Sequence, residues 1–498
     1  MLQNDSSEGN EIVIGLIATV GTDTDEVIRS LKMQLNHFSY SVEEISVSKQ
    51  ILSQFEDTCP DSFKSEYERI THYMDLGNKV RTDTNDNSIL MKGVARELYL
   101  KREHDDNDFP MPRNSVAYII KSLKHPDEVD FMRRTYGDAF YLVGVTTTRE
   151  RRLDWLEKRN TMSRDQAISL LDRDENEDIA YGQHTRDAFQ HSDYFIGVDG
   201  NYDRIYNSVE RFVDLLFGNP FITPNFDEYA MFMAYAASLR SADLSRQIGA
   251  VITKNTEILS MGVNDCPKYG GGLYWPILDG NGQYIDVNNG RDYMLGYDSN
   301  KHEQLRIIKN ICKNLGLEAT EDNVKKIKKA GIGDITEYGR VVHGEMEAIL
   351  SCARNNISCR GATLYATTFP CHNCAKHIIA AGIERVVYIE PYPKSKAFDF
   401  YKNEITNDKS MQNRVLFEPF VGVGPQRYID LFAMSSTRWY TKKRKDERGN
   451  RLEWSRSIAA FRSPAPLFNY LDGEETALLN FEDETVAIKK GDMLYEQD

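Results

Sequence analysis

Along the first half of the chain, short apolar runs alternate with segments whose apolar residues recur at helical spacing. The stretch Glu11–Asp25 reads as a buried strand, a glycine turn and a helix start, and Asp25–Asn36 carries apolar residues at helical spacing. Strands are predicted again over 40–47, 117–122, 140–145 and 191–196, with helices near 67–81, after 122–129, at 149–157 and at 206–217. Strand and helix in repeated alternation imply a largely parallel, helix-covered sheet. The pattern breaks at Gly218–Pro224, where a glycine and two prolines mark a boundary.

The second half is patterned differently. Asn225–Leu239 is a helix with one apolar face, and 249–253 with 258–263 read as a hairpin around a polar turn. Strands at 362–366, 385–389 and 415–420, with a helix at 425–432, complete an α/β layered domain over 225–435. An insertion over about 268–340 holds Tyr269–Leu273, a polar loop and helical patterns at 302–315 and 321–330. The expected organisation is therefore a polar leader at 1–10, a parallel-sheet domain at 11–218, a layered domain at 225–435 and an acidic extension at 436–498 whose pattern is too weak to read.

Length and charge narrow the class. A chain of 498 residues exceeds one ordinary core. With 61 Lys and Arg against 76 Asp and Glu, the formal net charge of -15 argues against broad nucleic-acid binding. Seven scattered cysteines do not form a secreted disulfide framework. The leader lacks the basic and apolar parts of a signal peptide, and no apolar run approaches a membrane span, so the expected compartment is the cytoplasm and no membrane partner is expected.

Chemistry concentrates in two places of the second half, Val341–Ile349 and Phe369–Cys374. His343, Cys371 and Cys374 supply three ligands for Zn²⁺ and leave a fourth position for water, the pattern of a catalytic ion. Glu345, two residues past the histidine, is the expected proton shuttle: it takes the proton that zinc makes acidic and delivers it to the substrate. A C-x-x-C alone is often a structural zinc corner or a redox pair. Joined to H-x-E, with Pro370 before the first cysteine, it matches the signature of zinc nucleobase deaminases.

The first half carries a weaker signal. Strand, glycine turn and helix at 11–36 are the setting of a phosphate loop, with Gly15, Gly21, Thr22 and Asp23 as candidate nucleotide-binding residues. The loop lacks the Gly-Lys-Ser/Thr ending, Gly15 lies six positions before Gly21 and Asp23 adds negative charge, so phosphoryl transfer is disfavoured and an effector pocket is the remaining function. Asp75, Asn78 and Arg81, at the end of one helical stripe, are ligand contacts or a solvated helix end. Polar segments at 172–175 and 181–187 fall where nucleotide kinases carry lids, and this half resembles P-loop nucleoside and nucleotide kinases with an eroded Walker motif.

Arg240-Ser-x-Asp243, Arg246–Ile252, Gly262-Val-Asn264, His343-x-Glu345 and Pro370-Cys-x-x-Cys374 follow in the order found in deoxycytidylate deaminases. With the kinase-like first half, nearly the whole chain resembles the two-domain anti-phage dCTP deaminases of bacteria. The resemblance implies deamination of dCTP and dCMP, with dCTP depletion in phage defence. It implies Asn264 as a sugar or base contact, and Arg240, Ser241 and Arg246 as phosphate or subunit contacts. It also implies a homo-oligomer, a nucleotide effector on the first domain and, in some relatives, an inhibitory RNA partner. Tyr392, Lys394 and Lys396 stand where a pocket mouth or a solvated turn is expected. The rival readings are a nucleic-acid cytosine deaminase, which needs a basic aromatic groove, a bifunctional nucleotide kinase and deaminase, and a regulatory protein with structural zinc.

Overall fold

The computed structural model describes residues 11–56, 63–107, 109–159, 161–176, 184–391, 395–435, 442–457, 459–463 and 467–495. The leader 1–10, Cys59, the segment 177–183, Tyr392 and Lys394 lie outside the described residues. The chain folds as two compact units, Met1–Glu228 with Val421–Asp498, and Tyr229–Phe420.

In the first unit, strands β1 (Glu11–Ala18), β2 (Ser41–Ser46), β3 (Val116–Lys121), β4 (Phe140–Thr146) and β5 (Tyr194–Gly197) form a parallel sheet in the order β5-β4-β1-β3-β2. Helices α1 (Asp25–Asn36), α2 (Glu66–Thr84), α3 (Ile89–Leu100), α4 (Pro126–Tyr136), α5 (Arg149–Arg159), α6 (Arg164–Asn176), α7 (Thr185–Phe189) and α8 (Tyr202–Leu216) connect or follow these strands. β1, β3 and β4 are apolar along nearly their whole length because both faces of a parallel sheet are covered. Gly15 lies within β1, paired with Ile120 and Leu142, so it cannot belong to the glycine turn where the sequence pattern suggested it. A Cβ there would stand 3.0 Å from Leu123 Cδ1, so this glycine answers to packing.

The first unit also recruits the far end of the chain. Gly422–Val423 pairs antiparallel with β5, and a helix at Leu467–Tyr495 packs on α3. The expected boundary at 435 therefore falls at Phe420, and the unread extension supplies structure to the first unit. Its Phe481 approaches so closely that a Cβ on Gly93 of α3 would lie 2.5 Å from the ring.

The second unit holds α9 from Tyr229 onward (Phe226–Ser238 in all), the hairpin β6 (Gly249–Lys254) and β7 (Glu257–Val263), and a small hairpin, β8 (Ile277–Leu278) with β9 (Tyr284–Ile285). Helices α10 (Ser299–Asn314), α11 (Glu321–Lys329), α12 (Gly344–Arg354) and α13 (His372–Ala380) alternate with strands β10 (Thr363–Thr368), β11 (Arg385–Glu390), β12 (Ile405–Thr406) and β13 (Val415–Pro419). The main sheet runs β12-β13-β11-β10-β6-β7, parallel from β12 to β10 and antiparallel through β6 and β7. Its core joins Ile252, Leu364 and Val386 of the strands to Ala348 and Cys352 of α12 and Ala375 and Ile378 of α13. The insertion forms β8, β9, α10 and α11. Among the described residues, no helix is long and apolar enough to cross a membrane.

Candidate active site

Two helix N-termini build the site. His343 is the N-cap residue of α12 and Cys371 that of α13, whose first turn also holds Cys374. Val342 donates its N–H to Asp265 O at 3.0 Å, pinning the approach to α12 beside the end of β7. Gly262 makes the close packing of α12 feasible: a Cβ there would lie 2.1 Å from Gly344 O and 2.4 Å from Ala348 N. The Gly-x-Asn motif therefore starts with a glycine because the zinc helix lies directly on its backbone.

The three donors converge. His343 Nδ1 stands 3.3 Å from Cys374 Sγ and 3.4 Å from Cys371 Sγ, and one ligand atom from each residue falls within 4.8 Å of the others. Among the described residues this is the one such group of three or more metal-type donors. One imidazole nitrogen and two sulfurs suit Zn²⁺. The Cys371 thiol is lowered to about 4 by hydrogen bonding from Cys374 and by the His343 imidazole, while His343 is raised to about 9 chiefly by its hydrogen bond to Cys371. One thiolate is thus prepared by the protein itself, as expected at a helix N-terminus.

Glu345, in the first turn of α12, is buried, and its Oε2 has no hydrogen-bond partner. Burial raises its pKa, with the nearby Cys371 acting in the same direction. A buried carboxylate with an open oxygen beside a metal donor set has spare capacity for a proton or a substrate N–H.

The remaining sequence candidates form the surroundings. Asn264 is buried, with Oδ1 accepting from Ile248 N at 2.7 Å and Nδ2 donating to Arg246 O at 2.8 Å, so it shapes the turn into β6. Ser241 Oγ donates to Asn264 O at 2.6 Å. Arg240 donates to Tyr274 O at 2.6 Å and stacks 3.7 Å above the Trp275 ring. Arg246 pairs with Glu390 at 3.0 Å while keeping 41% of its side chain exposed. Lys396 is exposed and lies 3.5 Å from Asp399.

The insertion contributes residues that the sequence reading did not single out. Arg291 bonds buried Asp265 at 3.1 Å and Arg240 O at 2.6 Å, tying the insertion to the end of β7. Arg340 donates to Asn289 O at 2.6 Å, and its Nη1 is buried with no partner. Arg340 stands three residues before His343, a proximity visible in the sequence; Arg291 had no local signal. In the first unit, Gly21 takes φ +82° in the turn after β1, Thr22 N donates to Thr19 O, and Asp23 pairs with Arg159 at 3.2 Å. Asp75 is bound by Arg173, and Arg81 by Glu128.

Donors, open carboxylate and mixed sheet together define the class: a hydrolytic deaminase of the cytidine deaminase fold. The cytidine and deoxycytidylate deaminase zinc-binding region matches residues 224–390. The deoxycytidylate deaminase of Enterobacteria phage T4 is 34% identical over 164 residues, covering 33% of this chain and 77% of that protein. That of Mycobacterium phage D29 is 29% identical over 165 residues, covering 33% of this chain and 94% of the relative. A solved dCMP deaminase from cyanophage S-TIM5, in complex with dCMP and dUMP, is 20% identical at a TM-score of 0.23, covering 40% of this chain and 99% of the other. The chain belongs to the deoxycytidylate deaminase family.

Proposed function

We propose that the protein deaminates deoxycytidine nucleotides, converting dCTP to dUTP and dCMP to dUMP with release of ammonia, and that it depletes dCTP in defence against phage. The observation that carries the chemistry is the open, buried Oε2 of Glu345 beside the convergent donors of His343, Cys371 and Cys374. These three residues would hold zinc, which when bound supplies the Lewis acidity that makes water a nucleophile near neutral pH. Glu345 takes one proton from the attacking water and passes it to the ring nitrogen, then takes the second from the hydroxyl added at C4 and delivers it to the departing amine as the C4–N bond breaks. Burial raises the pKa of Glu345, which strengthens its carboxylate as a base toward the water and lets it hold the proton until delivery.

Arg246 is the proposed phosphate contact, since its side chain stays partly exposed; Asn264, Ser241 and Arg240 hold the wall around it. The similarity to phage deoxycytidylate deaminases supports the deoxynucleotide substrate. The first unit, with its parallel sheet and glycine turn, is a P-loop kinase-like domain that senses a nucleotide effector and transfers no phosphate.

The purified protein is to be incubated with dCTP, dCMP, CTP and single-stranded DNA while ammonia and uracil products are followed. Turnover of the deoxynucleotides is expected, and Glu345→Ala should abolish it with zinc retained. Uracil formation in DNA with neither deoxynucleotide consumed would overturn the proposal in favour of a nucleic-acid deaminase.

A further inference from the structure

The sheet of the first unit has a point where its connections diverge. β1 leads through α1 to β2 on one side, while its neighbour β3 leads through α4 to β4 on the other. In open α/β sheets, the crevice beyond the carboxyl ends of two such strands is where ligands bind. The turn Thr19–Thr24 leaves β1 at this crevice and the segment 122–125 leaves β3.

A carboxylate from α6 already stands there. Asp174 Oδ2 accepts from Val20 N at 2.8 Å, and Lys124 Nζ lies 3.4 Å from Oδ1 while donating to Ala18 O at 2.8 Å. The Asp174 side chain is fully buried. A backbone N–H in a glycine turn and a lysine ammonium at a strand end are the elements that elsewhere meet a phosphate oxygen. Here an aspartate of the same chain meets them.

A second observation points to an anion larger than this carboxylate. Arg81 is buried at 2% exposure and gives Nη2 to Glu128 Oε1 at 2.7 Å, yet its Nε and Nη1 have no hydrogen-bond partner. The other oxygen of Glu128 accepts from Lys124 N at 2.7 Å, so Arg81 and Lys124 share one carboxylate. Buried guanidinium donors left unbonded are costly, and a phosphate-bearing ligand offers the acceptors they lack.

Leu170 and Leu171 anchor α6 in a buried apolar cluster with Leu156 and Met162, and charged pairs flank Asp174 at the end of the helix beyond them. Asp172 pairs with Arg149 at 2.6 Å and Arg173 with Asp75 at 2.6 Å, and each pair has a partner more than half exposed.

We infer that Asp174 is an internal stand-in for the phosphate of the effector, an inference that rests on reading the first unit as an effector domain. A phosphate-bearing ligand displaces it from Val20 N–H and Lys124, gains donors from Arg81, and frees the end of α6. Binding of the effector and release of α6 are one event.

The test is calorimetric titration of the full-length protein with inorganic pyrophosphate and, separately, with ATP, using wild type, Asp174→Asn and the double variant Asp174→Asn/Lys124→Met, each checked by thermal melting. Asp174→Asn keeps the shape and removes the competing charge, so it should bind at least tenfold tighter than wild type, and the double variant should lose at least that gain. Equal gains for both probes identify the phosphates alone as the recognised group; a gain for ATP only identifies a nucleotide. Hydrogen exchange over 164–176 in the wild type should rise on binding, a readout independent of whether the variants fold. Binding that is equal in wild type and Asp174→Asn, with exchange of α6 unchanged, overturns the stand-in and leaves the effector reading intact. No binding of either probe to wild type or to folded Asp174→Asn overturns both.

Discussion

Each unit contains a cluster of buried charge, and the two are finished differently. In the first unit, Arg102 spends Nε and Nη2 on Glu474 and Nη1 on Glu11, while Tyr118, Tyr470 and Tyr136 donate to oxygens of the same two carboxylates at 2.7–3.0 Å. None of these side-chain atoms lacks a partner. In the second unit, Glu345 is equally buried, yet one oxygen is unbonded and the neighbouring donors are those of a metal site. A buried charge network that closes on itself holds elements together. One left open by a single oxygen awaits a ligand.

The comparison breaks if the closed cluster tolerates loss of a member or the open one does not tolerate neutralisation. Glu345→Gln should lower turnover about 10²–10⁴-fold while leaving the unfolding midpoint at or above the wild-type value, because the variant removes a charge that burial penalises. A midpoint several degrees lower would show that Glu345 is part of the framework. Arg102→Met leaves Glu11 and Glu474 facing each other without their cation, and should destabilise the first unit by about 3–5 kcal/mol in denaturant titration. Zinc content of the intact second unit should be unchanged at low denaturant; loss of metal would mean that the two clusters are not independent.

How far each cluster was legible follows from the distance along the chain between its members. The metal site is assembled from two short motifs, and each motif also sets its helix start, so His343, Glu345, Cys371 and Cys374 can be read locally. The closed cluster joins Glu11, Arg102 and Glu474, separated by 91 and 372 residues along the chain, and nothing near any of them signals the others. For the same reason α3 and the C-terminal helix had no counterpart in the sequence reading: Gly93 and Phe481 explain each other once in contact, and separately they are a helix-weakening glycine and a stray aromatic. Strand and helix order in both units was readable because apolar period is a local property, as in β1, β4 and α10. Gly15 misled because glycine spacing does not distinguish a turn from a strand in which Phe140 crowds the backbone.

Smaller changes sharpen the contrast. Tyr470→Phe keeps the ring beside Arg102 and removes the hydroxyl that donates to Glu11 Oε2 at 2.7 Å. Glu11 retains Arg102 and Tyr118, so the expected loss is about 1 kcal/mol. A loss as large as that of Arg102→Met would show that the network fails as a whole and not bond by bond.

Lys442 is a third kind of buried charge, paired with no carboxylate among the described residues. Its Nζ donates to Leu431 O at 2.6 Å, an oxygen that Arg462 also serves at 2.6 Å. Burial pushes its pKa down to about 7, with Arg462 and Arg444 adding repulsion. In the unfolded chain a lysine titrates near 10.4. Below pH 7 both states carry the proton and the folded state bears the full penalty of the buried charge. Between about pH 7 and 10 the unfolded state holds a proton that the folded state has released, so this residue makes wild-type stability rise with pH across that window. Lys442→Met removes the charge and leaves Leu431 O bonded to Arg462, and should stabilise the protein by about 1 kcal/mol at pH 6. The gain should fall above pH 7 and turn into a loss before pH 10. A gain independent of pH would mean that methionine acts through packing, and a loss at pH 6 would mean that the ammonium is held as firmly as Arg102 and belongs with the closed cluster.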